Sequence, residues 1–475
     1  MDMHHLLANL SLITLFKQLI ACYIISFLIL DAPRFKIIFG TLVRSSPIQS
    51  KIAAISIWTC WFISALLLFF SEIILINSLI LLLLHYYFFQ YNVTFKKTIF
   101  SFGVEGLFFY ISSLYLVFIE CNELFFKNET ILIFILLLLK CELALILFSG
   151  GIQKIKLGFL KDLGFNYAYC NPKIGRWFYV FNRLQPKHLI FKIINICGTS
   201  LEILCGIFLF IPALSLLGTI LIVFIFSAAL FFTKIIYIPL LAITLSLLLF
   251  YQSGISLDLV SLFTHHNNLT MAESIFLILI SLYALNCIFF SLLSYVPKPV
   301  IKNNRLLNLI LSSKVFFLYH RFILSISISA HSFTVFSPYQ TGMFFRIYEI
   351  DNENNKLKNI IFDGYSKHYR HLYNTVQNYY IGSRNIIRCS MPLILNNQFK
   401  DYTSKVKSTD ILNFAQLFQT KNNSKLLIER FQLIDKDNLF YYLPLVEILI
   451  DFDNNKVSLH SKKQESIIPI QELNK

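Results

Sequence analysis

Charge is what this chain has least of. Asp, Glu, Lys and Arg make up 14% of its 475 residues, where a soluble domain carries about 25%. With 56% hydrophobic residues and 49 Phe, that scarcity excludes an ordinary soluble enzyme and indicates a polytopic membrane protein. A cysteine framework is also missing. The nine Cys are scattered, mostly in apolar stretches, with no CxxC pair, so they read as small apolar fillers. The opening MDMHH lacks the basic flank and small-residue cleavage site of a signal peptide, and the first apolar stretch is read as a retained span. No P-loop, HExxH, GxSxG or Rossmann fingerprint occurs. The adjacent His265 and His266 do not have metal-ligand spacing. His368 and His371 have no Cys, Asp or Glu nearby to complete a site.

What is present is apolar sequence in blocks of membrane-spanning length, about 20 residues each. Nine such blocks stand at 9–30, 52–70, 73–89, 98–119, 130–149, 193–211, 214–232, 235–251 and 274–296. The divisions at 71–72 and 212–213 rest on very short loops. Charge alternates between the loops. Eighteen Lys and Arg fall on one side, eight of them in 150–192, against Lys127 alone on the other. By the positive-inside rule the N-terminus is outside and everything after residue 297 is cytoplasmic.

Near Pro297 the composition shifts to Asn, Lys, Asp and Glu. Residues 306–330 mix apolar residues with Lys314, His320 and Arg321. Those cations disfavour a tenth span, and the stretch reads as an interfacial amphipathic helix. Beyond it, Met343–Ile350 and Lys356–Phe362 flank an Asp-Asn-rich turn and predict a hairpin. A helix is expected at Ile411–Gln419. Strands are expected at Leu426–Leu433, Tyr442–Phe452 and Lys456–His460. The expected architecture is an all-α polytopic membrane bundle of about nine transmembrane helices (1–300), an amphipathic interfacial connector (301–330) and a small soluble α+β domain (331–475). From residue 297 onward, 23 Lys and Arg are interleaved with 14 Asp and Glu, which argues against nucleic-acid binding. The expected partners are the lipid bilayer and a protein that meets the C-terminal domain.

Ionisable groups inside spans cost roughly 2.5–3.5 kcal/mol on insertion scales, which makes each a candidate for function. Here they are Glu105, Lys140, Glu142 and Glu202. Lys140 and Glu142 are two residues apart and point to different faces, so each needs a partner from another helix. Glu202, then Glu105, is the expected partner of Lys140. Two readings stand: a structural ion pair, or a substrate or proton site. Lys154 follows Gly150 and Gly151, which let a backbone or ligand come close. A lysine in apolar surroundings can lose its proton and act as a base. The alternative is an interfacial lysine that obeys the charge rule, as Lys156 does.

The stretch Phe148-Ser149-Gly150-Gly151-Ile152-Gln153-Lys154-Ile155 resembles a small-Gly-apolar-x-Lys-apolar signature. It is that of the vitamin K-dependent γ-carboxylase-like family, also called HTTM (horizontally transferred transmembrane). Gly198-Thr199-Ser200-Leu201-Glu202-Ile203-Leu204-Cys205-Gly206, with Pro212, is similar to that family's following helix. DoxX-like proteins have a similar pair of elements. Phe333–Tyr339 resembles the post-membrane segment of bacterial members. The resemblance implies a multi-span bundle. For the animal carboxylases it also implies a lysine base acting on a reduced vitamin K-type quinone with O₂ and CO₂, and only Lys154 matches that lysine. The chain departs from the pattern in two ways. Phe231-Phe232-Thr233-Lys234 stands where the family's His or polar cluster is expected. The charge count also puts Lys154 and the tail on the cytoplasmic face, whereas the animal enzyme works lumenally. Apart from the quinone, the sequence indicates no cofactor. Two function classes follow: an enzyme acting on a lipid-soluble substrate with Lys154 as base, or a non-catalytic membrane scaffold whose tail binds a partner. A transporter would need an inverted repeat or paired broken helices, and neither is evident.

Overall fold

The computed structural model describes residues 3–30, 51–70, 74–89, 103–252 (except 157, 161–163 and 172–173), 269–293, 313–326, 343–350, 357–363, 391–395, 398–402, 424–436, 439–461 and 468–469, with 412, 415 and 419. The His pairs 265–266 and 368–371, the segment 333–339, most of loop 31–51 and Lys96–Lys97 lie outside those residues.

The membrane portion is built from helices α1 (Met3–Leu30), α2 (Lys51–Leu67), α3 (Ile74–His85), α4 (Gly103–Cys121), α5 (Glu129–Lys156), α8 (Leu189–Phe210), α9 (Ser215–Phe232), α10 (Tyr237–Leu247) and α11 (Met271–Leu293). Two short helices, α6 (Phe165–Cys170) and α7 (Phe178–Phe181), lie between α5 and α8. Each expected span falls on one of the nine long helices. Six of those helices (α1, α4, α5, α8, α9 and α11) are long and apolar enough to cross a membrane. The apolar helices at Ile52–Leu67, Leu75–Phe89 and Tyr237–Phe250 are shorter. At 1.5 Å per residue they fall short of the roughly 30 Å hydrocarbon thickness. The expected count of nine was therefore a count of apolar blocks, six of which have the required length.

The long helices from α1 to α10 pack against their neighbours in chain order, and α5 also lies against α11. The core is aliphatic and aromatic, with Phe16, Phe27, Trp61, Phe108, Phe109 and Tyr115 fully buried. The outer faces of α8, α9 and α11 carry exposed Ile193, Ile207, Leu217, Phe224, Leu282 and Phe289, as surfaces covered by acyl chains do. Pro212 breaks the chain as expected: a single 3-10 turn, Pro212–Leu214, separates α8 from α9.

The α5–α8 contact is set by glycine. A Cβ at Gly206 would lie 2.8 Å from the Ala144 carbonyl oxygen and 2.9 Å from Phe148 Cβ. At Gly151 it would collide with Ile203. Small residues let the two backbones approach closely. Gly206→Ala is expected to lower stability by about 1–3 kcal/mol, the usual cost of overpacking, measurable as a fall in thermal midpoint in detergent. An unchanged midpoint would mean that the helices can separate without penalty.

An amphipathic helix α12 (Lys314–Ile326) forms where the interfacial connector was expected. Tyr319 on α12 bonds through its hydroxyl to the Asn286 side chain of α11.

In the tail, strands β1 (Met343–Ile350), β2 (Leu357–Asp363), β5 (Lys425–Lys436), β6 (Leu439–Asp451) and β7 (Lys456–Ser461) form an antiparallel sheet in the order β2-β1-β5-β6-β7. The short β8 (Ile468–Pro469) also pairs with β6. The expected β1–β2 hairpin is present, with Arg346 opposite Asp363 and Ile350 opposite Leu357. Strands β3 (Met391–Leu395) and β4 (Gln398–Tyr402) form a separate pair that was not expected. Within the expected helix 411–419, Leu412 and Ala415 are described as helical.

Strand β5 buries residues on both of its faces. Leu426 and Ile428 are buried on one, with Ile428 opposite both Ile347 and Ile448. Phe431 and Leu433 are buried on the other. Opposite Arg430 and Phe431 the register skips one residue of β6, from Val446 to Pro444. A bulge that inserts one residue re-aims every side chain beyond it on that strand. Here it puts Phe440 of β6 on the same face as Phe431 and Leu433, in an aromatic cluster that includes Tyr167, Tyr169, Phe178, Phe181 and Phe191. Segment 157–188, expected as an open basic loop, is thus a folded platform between the bundle and the sheet. Its aromatic residues outweigh its cations. The platform is pinned to the α9–α10 link: Arg176 N–H donates to the Phe232 carbonyl at 2.9 Å, and Lys234 N–H to the Ile174 carbonyl at 2.7 Å.

Candidate functional site

The α5–α8 contact brings together four of the seven candidate residues. Lys154 Nζ forms an ion pair with Glu202 Oε1, and the two side chains are 9% and 15% exposed. The Lys154 ammonium also sits 4.9 Å from the centroid of the Phe165 ring. Phe165 is held in place from three sides. Its N–H donates to Asn195 Oδ1 at 2.6 Å, its ring stacks on Tyr169, and it packs against Gly198, where a Cβ would lie 2.8 Å away. Gly150 faces the second Glu202 oxygen, and a Cβ there would meet Oε2 at 3.5 Å. Burial, and then the Glu202 carboxylate, push the Tyr169 phenol above its ordinary range.

One expectation is corrected here: the partner of Glu202 is Lys154 rather than Lys140. Antiparallel packing sets Gly151 against Ile203 and Phe148 against Gly206. Lys140 lies a further eleven residues back from Gly151 on α5, about 16 Å at 1.5 Å per residue. That places it level with the Pro212 end of α8 and out of reach of Glu202. Lys140 is buried and has no ion pair among the described residues. The side chain of Glu105, its second expected partner, lies outside the described residues. Gly150 and Gly151, expected to let a backbone or a ligand come close, meet α8: Ile203 fills the space at Gly151 and Glu202 approaches Gly150.

Glu142 belongs to a different centre. It is 2% exposed and accepts hydrogen bonds from Tyr115 Oη at 2.9 Å and Tyr283 Oη at 2.8 Å. These phenols come from α4 and α11, so the carboxylate ties three helices together and is satisfied where it stands. As expected, Lys140 and Glu142 face apart.

Two polar centres were missed. Lys17, in the middle of α1, pairs with Glu120 and also reaches Glu123 at 2.9 Å. It is an ionisable residue inside a span, and the rule that picked out Lys140 would have found it. His85 is 1% exposed and accepts the Trp61 indole N–H on Nε2 at 3.1 Å. The ring proton therefore sits on Nδ1, 2.7 Å from Ser113 Oγ and 3.1 Å from the Phe109 carbonyl. No sequence pattern announces this contact, because its four partners come from three helices.

In chemical terms the Lys154 centre is an ammonium neutralised by a carboxylate and covered by an aromatic face. The lysine is thus engaged by groups of the protein itself on both sides. Buried charges that are paired in this way fix helix register. No family model, curated protein or solved structure matches the chain.

Proposed function

We propose that this chain is a multi-span membrane scaffold of a bacterial inner membrane. Its N-terminus is outside, and its cytoplasmic sheet domain is held against the bundle for a protein partner. It shares the bundle plan of the γ-carboxylase-like proteins without their chemistry. The observation that carries this reading is the state of Lys154: buried, paired with Glu202 and facing Phe165. The aromatic contacts between the 157–188 platform and the β5–β6 hairpin supply what a scaffold needs, a soluble domain with a fixed seat. The charge asymmetry of the loops supports a cytoplasmic position for both the platform and the tail.

Two experiments test the proposal. A reporter that is active only outside the membrane, fused after Lys475, should stay silent, and a signal would reverse the orientation. Lys154→Arg keeps the cation and the pair but cannot give up its proton. It should rescue a deletion strain as well as the wild type does. If Lys154→Arg is folded and inactive, Lys154 is a reacting base and the enzyme reading takes over.

A further inference from the structure

Thr199 and Glu202 stand three residues apart on α8, and each carries a buried oxygen without a hydrogen-bond partner: Thr199 Oγ1 and Glu202 Oε2. Thr199 is 1% exposed. Other buried threonines in these helices donate to the carbonyl four residues back, Thr219 to Ser215 at 3.0 Å and Thr244 to Leu240 at 2.8 Å. Thr199 has the same option at Asn195 and does not take it. Across from Glu202, the α5 backbone is glycine. A Cβ at Gly150 would have Oε2 as its only neighbour within 4 Å, whereas a Cβ at Gly151 is blocked. Buried polar atoms are nearly always satisfied, and a site with two that are not calls for a missing partner.

We propose that Thr199 and Glu202 bind a single neutral hydroxyl group, which donates to Glu202 Oε2 and exchanges a second hydrogen bond with Thr199 Oγ1. Side chains three apart on a helix have Cβ atoms about 5–6 Å apart, a gap one hydroxyl spans with two hydrogen bonds of about 2.8 Å. The neighbouring charges exclude other guests: the Lys154 ammonium repels a cation and the Glu202 carboxylate repels an anion. The hydroxyl belongs either to an ordered water or to a lipid molecule reaching in between α5 and α8. The site does not depend on whether Lys154 reacts.

The sign of a stability change tests it. Thr199→Val removes the hydroxyl at constant shape. If the site is filled, the full-length protein should lose several degrees of thermal midpoint. If Thr199 Oγ1 simply has no partner, deleting it removes an uncompensated polar atom, and the midpoint should hold or rise. Gly150→Ala gives an independent reading, because alanine is favoured over glycine within a helix. An empty site predicts a higher midpoint. A filled one predicts a lower midpoint, as the methyl presses on the guest. Both variants are measured in delipidated detergent and in phosphatidylcholine–phosphatidylglycerol nanodiscs. Losses in both media identify water, and losses confined to nanodiscs identify a lipid hydroxyl. A midpoint that stays or rises for either variant in both media overturns the site.

Discussion

Lys154→Met alone, or Glu202→Leu alone, is expected to destabilise the protein by about 3–5 kcal/mol. Each leaves one buried charge without its partner, and that is what makes breaking a buried pair costly. The double variant Lys154→Met/Glu202→Leu should recover most of the loss, since well-packed apolar residues replace buried pairs at little or no cost. The recovery is the diagnostic part. Thermal unfolding of the four proteins in one detergent gives the coupling directly. If the single losses simply add in the double variant, the two residues do not act as a pair, and the contact between Lys154 and Glu202 has no energetic weight.

The second large effect is expected at the seat of the tail. Phe440 packs edge-on against Phe191 of α8 at 6.1 Å between ring centroids, and against Tyr167 of α6 at 6.3 Å. It is 5% exposed. Phe440→Ala should cost about 3–5 kcal/mol, as truncation of a buried phenylalanine does. Because Phe440 joins the sheet to the platform, the loss should appear as release of the tail with the bundle still folded. Limited proteolysis of membranes should then cut the tail much faster than in the wild type, while cleavage within the bundle is unchanged. Unaltered tail cleavage would mean that the sheet is held by contacts other than this cluster.

How much of this was legible in the sequence depended on the range of the signal. The β1–β2 hairpin rests on alternation and an Asp-Asn turn, both local, and it formed where it was expected. The break at Pro212 and the positions of the apolar helices were equally local. The identity of the salt bridge was not. Lys140 and Lys154 are fourteen residues apart on one helix, which brings them back to nearly the same face, so periodicity cannot choose between them. Packing chooses, through Gly151 against Ile203 and Gly206 against Phe148. The glycines were visible, but the sequence left open whether a backbone or a ligand comes close there; in the fold it is α8. The platform was hidden for a similar reason. Counting its lysines and arginines gave it an expected side of the membrane and left its Phe, Tyr and Trp residues without a role. Their partners, Phe431, Leu433 and Phe440, come some 250 residues later, and Phe440 shares a face with the other two only because of a bulge in β6.

The central claim is that Lys154 holds the structure together and does not react. The most direct measurement is rescue of a deletion strain by the double variant Lys154→Met/Glu202→Leu, which has neither a lysine nor a carboxylate at this site. Wild-type rescue, at wild-type protein levels and with the tail as resistant to protease as before, is the result predicted here. A double variant that is folded and docked but fails to rescue would contradict the claim and return Lys154 to the role of a catalytic base.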